Sequence, residues 1–118
     1  MMNDVHWCLG AGHYANYEEF VAAVTEENEN IAPDRHGWRP DEIVCKGPIR
    51  IQHLIPWKPA GEDLIEFTIS TTEESLSMGQ VLYRLHCESA DFFKDAHHRH
   101  FERLGDPIDG AMFLTVGS

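Results

Sequence analysis

Hydrophobic and polar positions alternate in four stretches of the chain, and each stretch predicts a strand because neighbouring side chains point to opposite faces of a sheet. These stretches are residues 1–9, residues 42–57 with a break at Gly47-Pro48, residues 63–70 and residues 111–116. The break at Gly47-Pro48 predicts either two strands or one strand with a bulge. Turn residues separate the stretches at positions 10–12, 56–61 and 105–110.

Two further stretches repeat their apolar residues at helical spacing. The first is expected to begin after Asn16, which forms a capping-box-like pair with Glu19, and to fray in residues 26–30. Its apolar face is Tyr17, Phe20, Val21 and Val24. The second is expected to begin at Ser77, where Ser-Met-Gly-Gln is a capping box, and to end near residues 93–95. Its apolar face is Met78, Val81, Leu82, Leu85, Ser89 and Phe92.

The predicted element order is β-α-β-β-β-α-β. Residues 31–41 contain Pro33, Gly37 and Pro40 and are expected to form a loop, with Trp38 folding back over the core. This order favours an α+β fold, with a mostly antiparallel sheet and two main helices, in a single domain over residues 1–118.

Composition narrows the class of protein. The chain has 118 residues, of which 42% are hydrophobic and 25% charged, values typical of a globular domain. The N-terminus has no basic region followed by an apolar stretch, and no apolar run is long enough to span a bilayer, so we expect a cytoplasmic protein without a membrane partner. Cys8, Cys45 and Cys87 are odd in number and far apart, which favours reduced, mostly buried thiols.

The formal net charge of −11 limits the kinds of partner that the protein is expected to bind. Nucleic-acid binding is not expected, because it requires a basic surface. Acidic residues concentrate without basic neighbours in residues 17–34, which hold six of them, and in residues 61–83, which hold five. These stretches serve either for solubility or as an acidic face that docks on a basic partner and speeds encounter.

One group of residues has the composition of a metal or thiol site. It comprises Cys87, His97, His98, His100 and Glu102. His98 with Glu102 gives one His–carboxylate pair at i, i+4 spacing, and neither His-Glu-x-x-His nor Cys-x-x-Cys is present, so no metal site and no cofactor are expected. Cys87 is adjacent to His86 on the predicted helix, where the two side chains diverge, and is expected to be a buried structural thiol. The Gly-x-Gly of residues 10–12 is expected to be a turn, since the third glycine of a dinucleotide-binding motif is missing.

The C-terminal third of the chain resembles small bacterial immunity proteins encoded beside polymorphic secreted toxins. Three blocks carry the resemblance: Leu76, Ser77, Gly79, Leu82, Tyr83, Leu85 and His86; then His97, His98, Phe101, Glu102 and Leu104; then the terminal Gly117 and Ser118. Val81 stands where the pattern has Leu. Arg103 stands where it has Gly, which puts the local turn in doubt because Arg resists positive φ.

The resemblance implies a protein that binds a cognate toxin and blocks its active site, with no catalytic residues of its own. The acidic surface would then contact the partner. Tryptophan is also a common interface anchor, so Trp38 in its proline-rich loop is a further candidate beside core packing. The candidate residues are Glu18, Glu26, Glu27, Glu29, Asp34, Trp38, Glu66, Glu73 and Glu74. The alternative is a small metal- or thiol-dependent enzyme that uses Cys87, His97, His98 and His100.

Overall fold

The computed structural model describes residues 2–10, 12–54, 64–69, 74–94, 99–106, 108 and 110–117. Two helices and seven strands follow one another as β1 (Met2–Cys8), α1 (Tyr17–Ile31), β2 (Ile43–Cys45), β3 (Ile49–Leu54), β4 (Leu64–Ile69), β5 (Leu76–Ser77), α2 (Met78–Phe93), β6 (His100–Leu104) and β7 (Ala111–Gly117). The predicted α+β class is confirmed.

Five strands form one sheet in the order β1-β6-β7-β3-β4, and β2 pairs separately with β5. The neighbours in the large sheet are antiparallel except β3 and β7, which run parallel. Alternate residues of β3 are buried, and the opposite face carries the row Phe113–Gln52–Glu66 across three strands. Helix α1 packs beside β1 and α2 lies over β4, so the acids of α1 and Glu66 of β4 belong to opposite edges of the sheet.

The predicted strands match the structure where it describes them. Val5, Trp7 and Leu9 are buried along and just beyond β1, and the interruption at Gly47-Pro48 separates β2 from β3. The peptide bond between Gly47 and Pro48 is cis. The expected turn in residues 56–61 lies outside the described residues.

Strand β6 is absent from the sequence prediction, which placed a polar connection before the last strand. It lies between β1 and β7 in the sheet. Phe101 and Leu104 are its buried residues, and the pairing with β7 shifts register between Phe101 and Arg103. That irregularity breaks the two-residue period by which a strand is recognised. Arg103 is part of this strand, so the chain has no turn at the position where the resemblance pattern carries glycine.

Helix α1 does not fray where its sequence becomes polar. Asn16 caps it by accepting from the Glu19 amide at 2.9 Å, as expected. The helix continues to Ile31 because Asn28 is fully buried against β1. The Asn28 side-chain oxygen accepts from the His6 amide at 2.7 Å, and its nitrogen donates to the His6 carbonyl at 3.0 Å. This amide therefore fixes the last turns of α1 to the first strand.

The start of α2 has a partner for each of its first three backbone amides. Met78 donates to the Glu42 carbonyl at 2.8 Å and Gly79 to the Pro40 carbonyl at 3.0 Å. Gln80 donates to the Ser77 hydroxyl at 3.2 Å, and the Gln80 side chain accepts from the Ser77 amide, which confirms the predicted capping box. Because these amides have no acceptor within the helix, the loop before β2 fixes where α2 begins.

One hydrophobic core joins both helices to the large sheet. Phe20 and Val24 of α1 and Leu82 and Leu85 of α2 are fully buried in it. Phe93, and not the predicted Phe92, is the aromatic residue at the end of α2 that is fully buried. Of the described helices, none is both long and apolar enough to cross a membrane.

Candidate functional site

The exposed face of α1 carries the densest group of predicted partner-binding residues. Glu18, Glu26 and Glu29 lie within a narrow stripe because residues eight and eleven positions after Glu18 return to the same side of a helix. All three are exposed, and the helix sequence contains no Lys, Arg or His. We call these three residues the acidic stripe. Glu29 accepts from the Nε2 atom of His36 at 2.8 Å, so its charge has a local partner.

The other predicted residues are distributed around the molecule. Asp34 is exposed just beyond α1, whereas Glu66 and Glu74 belong to the part of the chain that includes β4 and β5. The Glu66 carboxylate accepts from Gln52 at 3.0 Å and lies 3.5 Å from Arg50 on the open face of the sheet. The expectation that this second stretch is unopposed is therefore wrong at Glu66. Glu73 lies outside the described residues.

Trp38 is 3% exposed, which agrees with the expectation that it folds back over the core. Its indole Nε1–H donates to the Thr25 hydroxyl of α1 at 3.0 Å. A role as an interface anchor would require this side chain to leave its present position. Tyr14 and Tyr17, near the start of α1, are half-buried and therefore nearer the surface than Trp38.

A cavity of about 380 Å³ opens between β1, the following loop and α1. Its lining residues are Trp7, Cys8, Tyr14, Ala23, Glu26, Glu27 and Asn30. Sequence reasoning singled out Glu26 and Glu27 but missed the cavity, because Trp7 and Tyr14 come from a different element. The usable signal was the i, i+3, i+4, i+7 spacing of Ala23, Glu26, Glu27 and Asn30 on one side of the helix.

Glycines and a buried histidine position the aromatic wall of this cavity. Gly10 and Gly12 have φ of +79° and +80°, a conformation that favours glycine, and they form the turn expected from the sequence. A Cβ on Gly10 would lie 2.9 Å from the Lys94 backbone nitrogen. The loop thus lies directly against the end of α2, and Tyr14 returns to stack near Trp7, with ring centroids 5.8 Å apart.

His86 lies behind this wall as a neutral ring. Its Nδ1 atom accepts from the Trp7 indole at 3.1 Å, and its Nε2 atom is 3.4 Å from the Gly12 carbonyl, to which it donates. Burial lowers the pKa of His86, and the hydrogen bond to the Gly12 carbonyl opposes this lowering in part. A proton on Nδ1 would face the indole N–H, so the charged ring is disfavoured.

The residues of the alternative enzyme hypothesis are only partly described. Cys87 is exposed, which corrects the expectation of a buried thiol, while Cys8 and Cys45 are half-buried and all three are free. His86 is unavailable as its base because both ring nitrogens have partners. His97 and His98 lie outside the described residues, and His100 is half-buried next to His6, with ring centroids 6.0 Å apart.

Across the part of the chain that the structure describes, no three His, Cys, Asp or Glu side chains are grouped to hold a metal ion. The described positions of the resemblance pattern are mainly structural, since Leu82, Leu85, Phe101 and Leu104 are core residues and His86 is buried. Comparisons with protein-family models, with curated proteins and with solved structures found no match to this chain.

Proposed function

We propose that the protein is a cytoplasmic immunity protein that binds a cognate bacterial toxin and occludes its active site. The observation that carries the proposal is the acidic stripe on α1, where exposed carboxylates are presented by a rigid element that contains no basic residue. A toxin that acts on an anionic substrate has a basic cleft, and a carboxylate-rich helix is complementary to such a cleft. The sequence resemblance supplies the class of partner.

Exposed carboxylates of this kind have little to do with folding. Ion pairs between exposed side chains contribute about 0–1 kcal/mol, so the stripe is dispensable for stability. Its expected contribution is to the rate of association, because charges at the rim of an interface steer the approach of an oppositely charged partner. The proposal therefore predicts a kinetic effect that the fold alone does not.

The experiment compares two triple charge reversals in association with the toxin domain encoded next to this chain. One variant carries Glu18→Lys, Glu26→Lys and Glu29→Lys. The matched variant carries Glu66→Lys, Glu74→Lys and Glu88→Lys, three exposed acids on other elements with the same change in net charge. Stopped-flow association is measured at low and at high salt.

The expected result is slower association and a weaker salt dependence for the stripe variant alone. The converse result, with only the matched variant affected, would move the docking face away from α1. If no complex forms, or if both variants associate as fast as the parent at low salt, the acidity serves solubility and the proposal fails. Protection of cells that express the toxin checks the same variants in vivo.

The surroundings of Cys87 do not favour the enzyme alternative. Cys87 is exposed next to Tyr83, whose phenol pKa is raised first by burial and then by Cys87 itself. A raised phenol pKa keeps Tyr83 protonated, so it is not a base that would activate the thiol. No observation within the described residues favours that chemistry.

A further inference from the structure

The cavity beside α1 combines two features that recognise a cation. Its strand-side wall is aromatic, formed mainly by the half-buried Tyr14 and by the small accessible part of Trp7, which is 6% exposed, with the two rings inclined at 50°. Its helix-side wall carries Glu26 and Glu27. Aromatic faces attract cations through the ring quadrupole, and carboxylates attract them by charge.

The helix wall is shaped like a shallow trough. Ala23 and Asn30 lie along its middle, one turn before and one turn after the acidic pair. Successive residues of a helix are separated by about 100° around its axis, so Glu26 and Glu27 lie on either side of this line. Because alanine ends at Cβ, there is space between the two carboxylates. A planar group that reaches this space meets an acceptor on each side.

Neither carboxylate is neutralised by a partner among the described residues. Within the described residues, Glu26 and Glu27 have no hydrogen bond or ion pair. The charge of Glu27 acts on the aromatic wall of the cavity. The pKa of Tyr14 is raised by burial and, to a smaller extent, by this charge. A cation that enters would therefore find two unpaired acceptors at once.

We propose that this cavity is the receptor site for an arginine side chain of the toxin. The inference rests on the proposed function for the identity of the partner, but the preference for a guanidinium follows from the site. Guanidinium is flat, donates to two carboxylates at once and packs on aromatic rings, whereas the ammonium of lysine is a strongly hydrated point charge. Glu26 belongs to both features. Glu18 and Glu29 of the acidic stripe would steer the toxin, and the cavity with Glu26 and Glu27 would hold the arginine.

The test uses small probes and needs no toxin. N-acetyl-arginine N-methylamide is titrated into the ¹⁵N-labelled protein at constant ionic strength, and the uncharged, nearly isosteric citrulline derivative is the control probe. Saturable shifts are expected at the Trp7 indole and at the amides of Tyr14, Ala23 and Glu27 with arginine only. Equal shifts with citrulline, or no shifts at these positions, would overturn the proposal.

Three variants separate the effect of the cavity from that of its charge. Glu26→Gln with Glu27→Gln removes both carboxylates, and Glu18→Gln with Glu88→Gln makes the same charge change outside the cavity. Ala23→Leu fills the trough and keeps both acids. We expect the arginine response to be lost in the first and third variants and retained in the second. A response that survives Ala23→Leu would mean only a diffuse acidic surface.

The outcome is distinguishable from failure of the proposed function. If the arginine probe binds but no toxin complex forms, the site stands and the immunity function falls. If the toxin binds Glu26→Gln/Glu27→Gln and Ala23→Leu with the dissociation rate of the parent, the function stands and the cavity is not the arginine receptor.

Discussion

At the scale of single residues, Asn28 shows how one polar side chain fixes the register of two elements. Its amide makes both hydrogen bonds that a neighbouring strand would have offered to His6, and its nitrogen also donates to the Val24 carbonyl of α1 at 2.8 Å. A buried polar group stabilises a fold only when its partners are all present. Asn28 satisfies that condition.

Asn28→Ala should lower the free energy of unfolding by about 1–3 kcal/mol, because the backbone groups of His6 lose their partner beneath the helix. Asn30→Ala removes the same kind of side chain from an exposed position of α1 and serves as the control, with an expected change within about 0.5 kcal/mol. Urea denaturation measures both. Equal losses in the two variants would contradict this role for Asn28.

His86 gives the molecule a pH dependence of definite sign. Its pKa is lowered in the folded state by burial, so the folded protein binds fewer protons than the unfolded chain between that pKa and about 6.5. The contribution of this difference in pKa to the free energy of unfolding is complete above about pH 6.5 and is lost as the pH falls through this window. His53 is also buried, and burial lowers its pKa although the bond to the Leu114 carbonyl acts in the opposite sense. His53 therefore changes stability with pH in the same direction as His86.

Urea denaturation near pH 7 and near pH 5.5 should therefore show a larger loss of stability for the parent than for His86→Gln, which lacks the titrating ring. A direct check is the NMR titration of the His86 ring in the parent. A midpoint at or above about 6.5 would show that the buried neutral form is not preferred.

At the scale of elements, α2 is the central packing unit. Met78, Val81, Leu82 and Leu85 face the core along its length, and its first amides are capped by the chain before β2. The helix thus joins the small β2-β5 pair to the large sheet. Loss of its apolar face should cost more than loss of any exposed residue.

Leu82→Ala and Leu85→Ala should each reduce stability by about 2–5 kcal/mol, the range for truncating buried leucine and leaving a cavity. Glu88→Ala, on the exposed side of the same helix, is the control and should change stability by no more than about 0.5 kcal/mol. Thermal and urea denaturation report the difference. Near-neutral values at both leucines would mean that this face is not packed.

The elements that sequence periodicity predicted are those whose burial is regular. Helix α2 satisfied both the capping and the apolar pattern, and Asn16 and Ser77 were identified as caps because each accepts from an amide three residues on. Strand β6 was missed because a register shift interrupts its alternation. The end of α1 was misjudged because the burial of Asn28 depends on a strand 22 positions away.

The candidate site was predictable only in part for the same physical reason. Glu26 and Glu27 follow from charge along the helix, which is local information. The aromatic wall required Trp7 and Tyr14 to meet α1, and this depends on Gly10 lying against the end of α2. Contacts between elements far apart in the chain have no periodic signature in the sequence.

At the scale of the whole molecule, the charge of −11 works against compactness. Like charges repel most when counterions are scarce, and Glu29 in the last turn of α1 also faces the negative end of the helix dipole. The chain keeps these acids although no basic residue occupies that last turn.

Added salt should therefore raise the melting temperature of the parent protein by screening this repulsion. The Glu18→Lys/Glu26→Lys/Glu29→Lys variant should respond less to added salt than the parent, because its net charge is closer to zero. The favourable change at Glu29, in the last turn of α1, is offset by the unfavourable change at Glu18 in its first turn, so we expect the two proteins to be similarly stable at low salt. Differential scanning calorimetry at two ionic strengths measures this. A clearly less stable variant would show that the stripe supports folding.

The bonds from α1 and the following loop to β1 have a consequence for self-association. The unpaired backbone groups of an edge strand can bond to strands of other molecules. In this structure, the Asn28 side chain occupies the outward backbone groups of His6, and the Gly37 amide donates to the Asp4 carbonyl at 2.8 Å. Asp4 itself has φ of +58°, which bends the strand locally. These contacts occupy the outward backbone groups of Asp4 and His6, so this part of the sheet margin is closed to templated fibre growth.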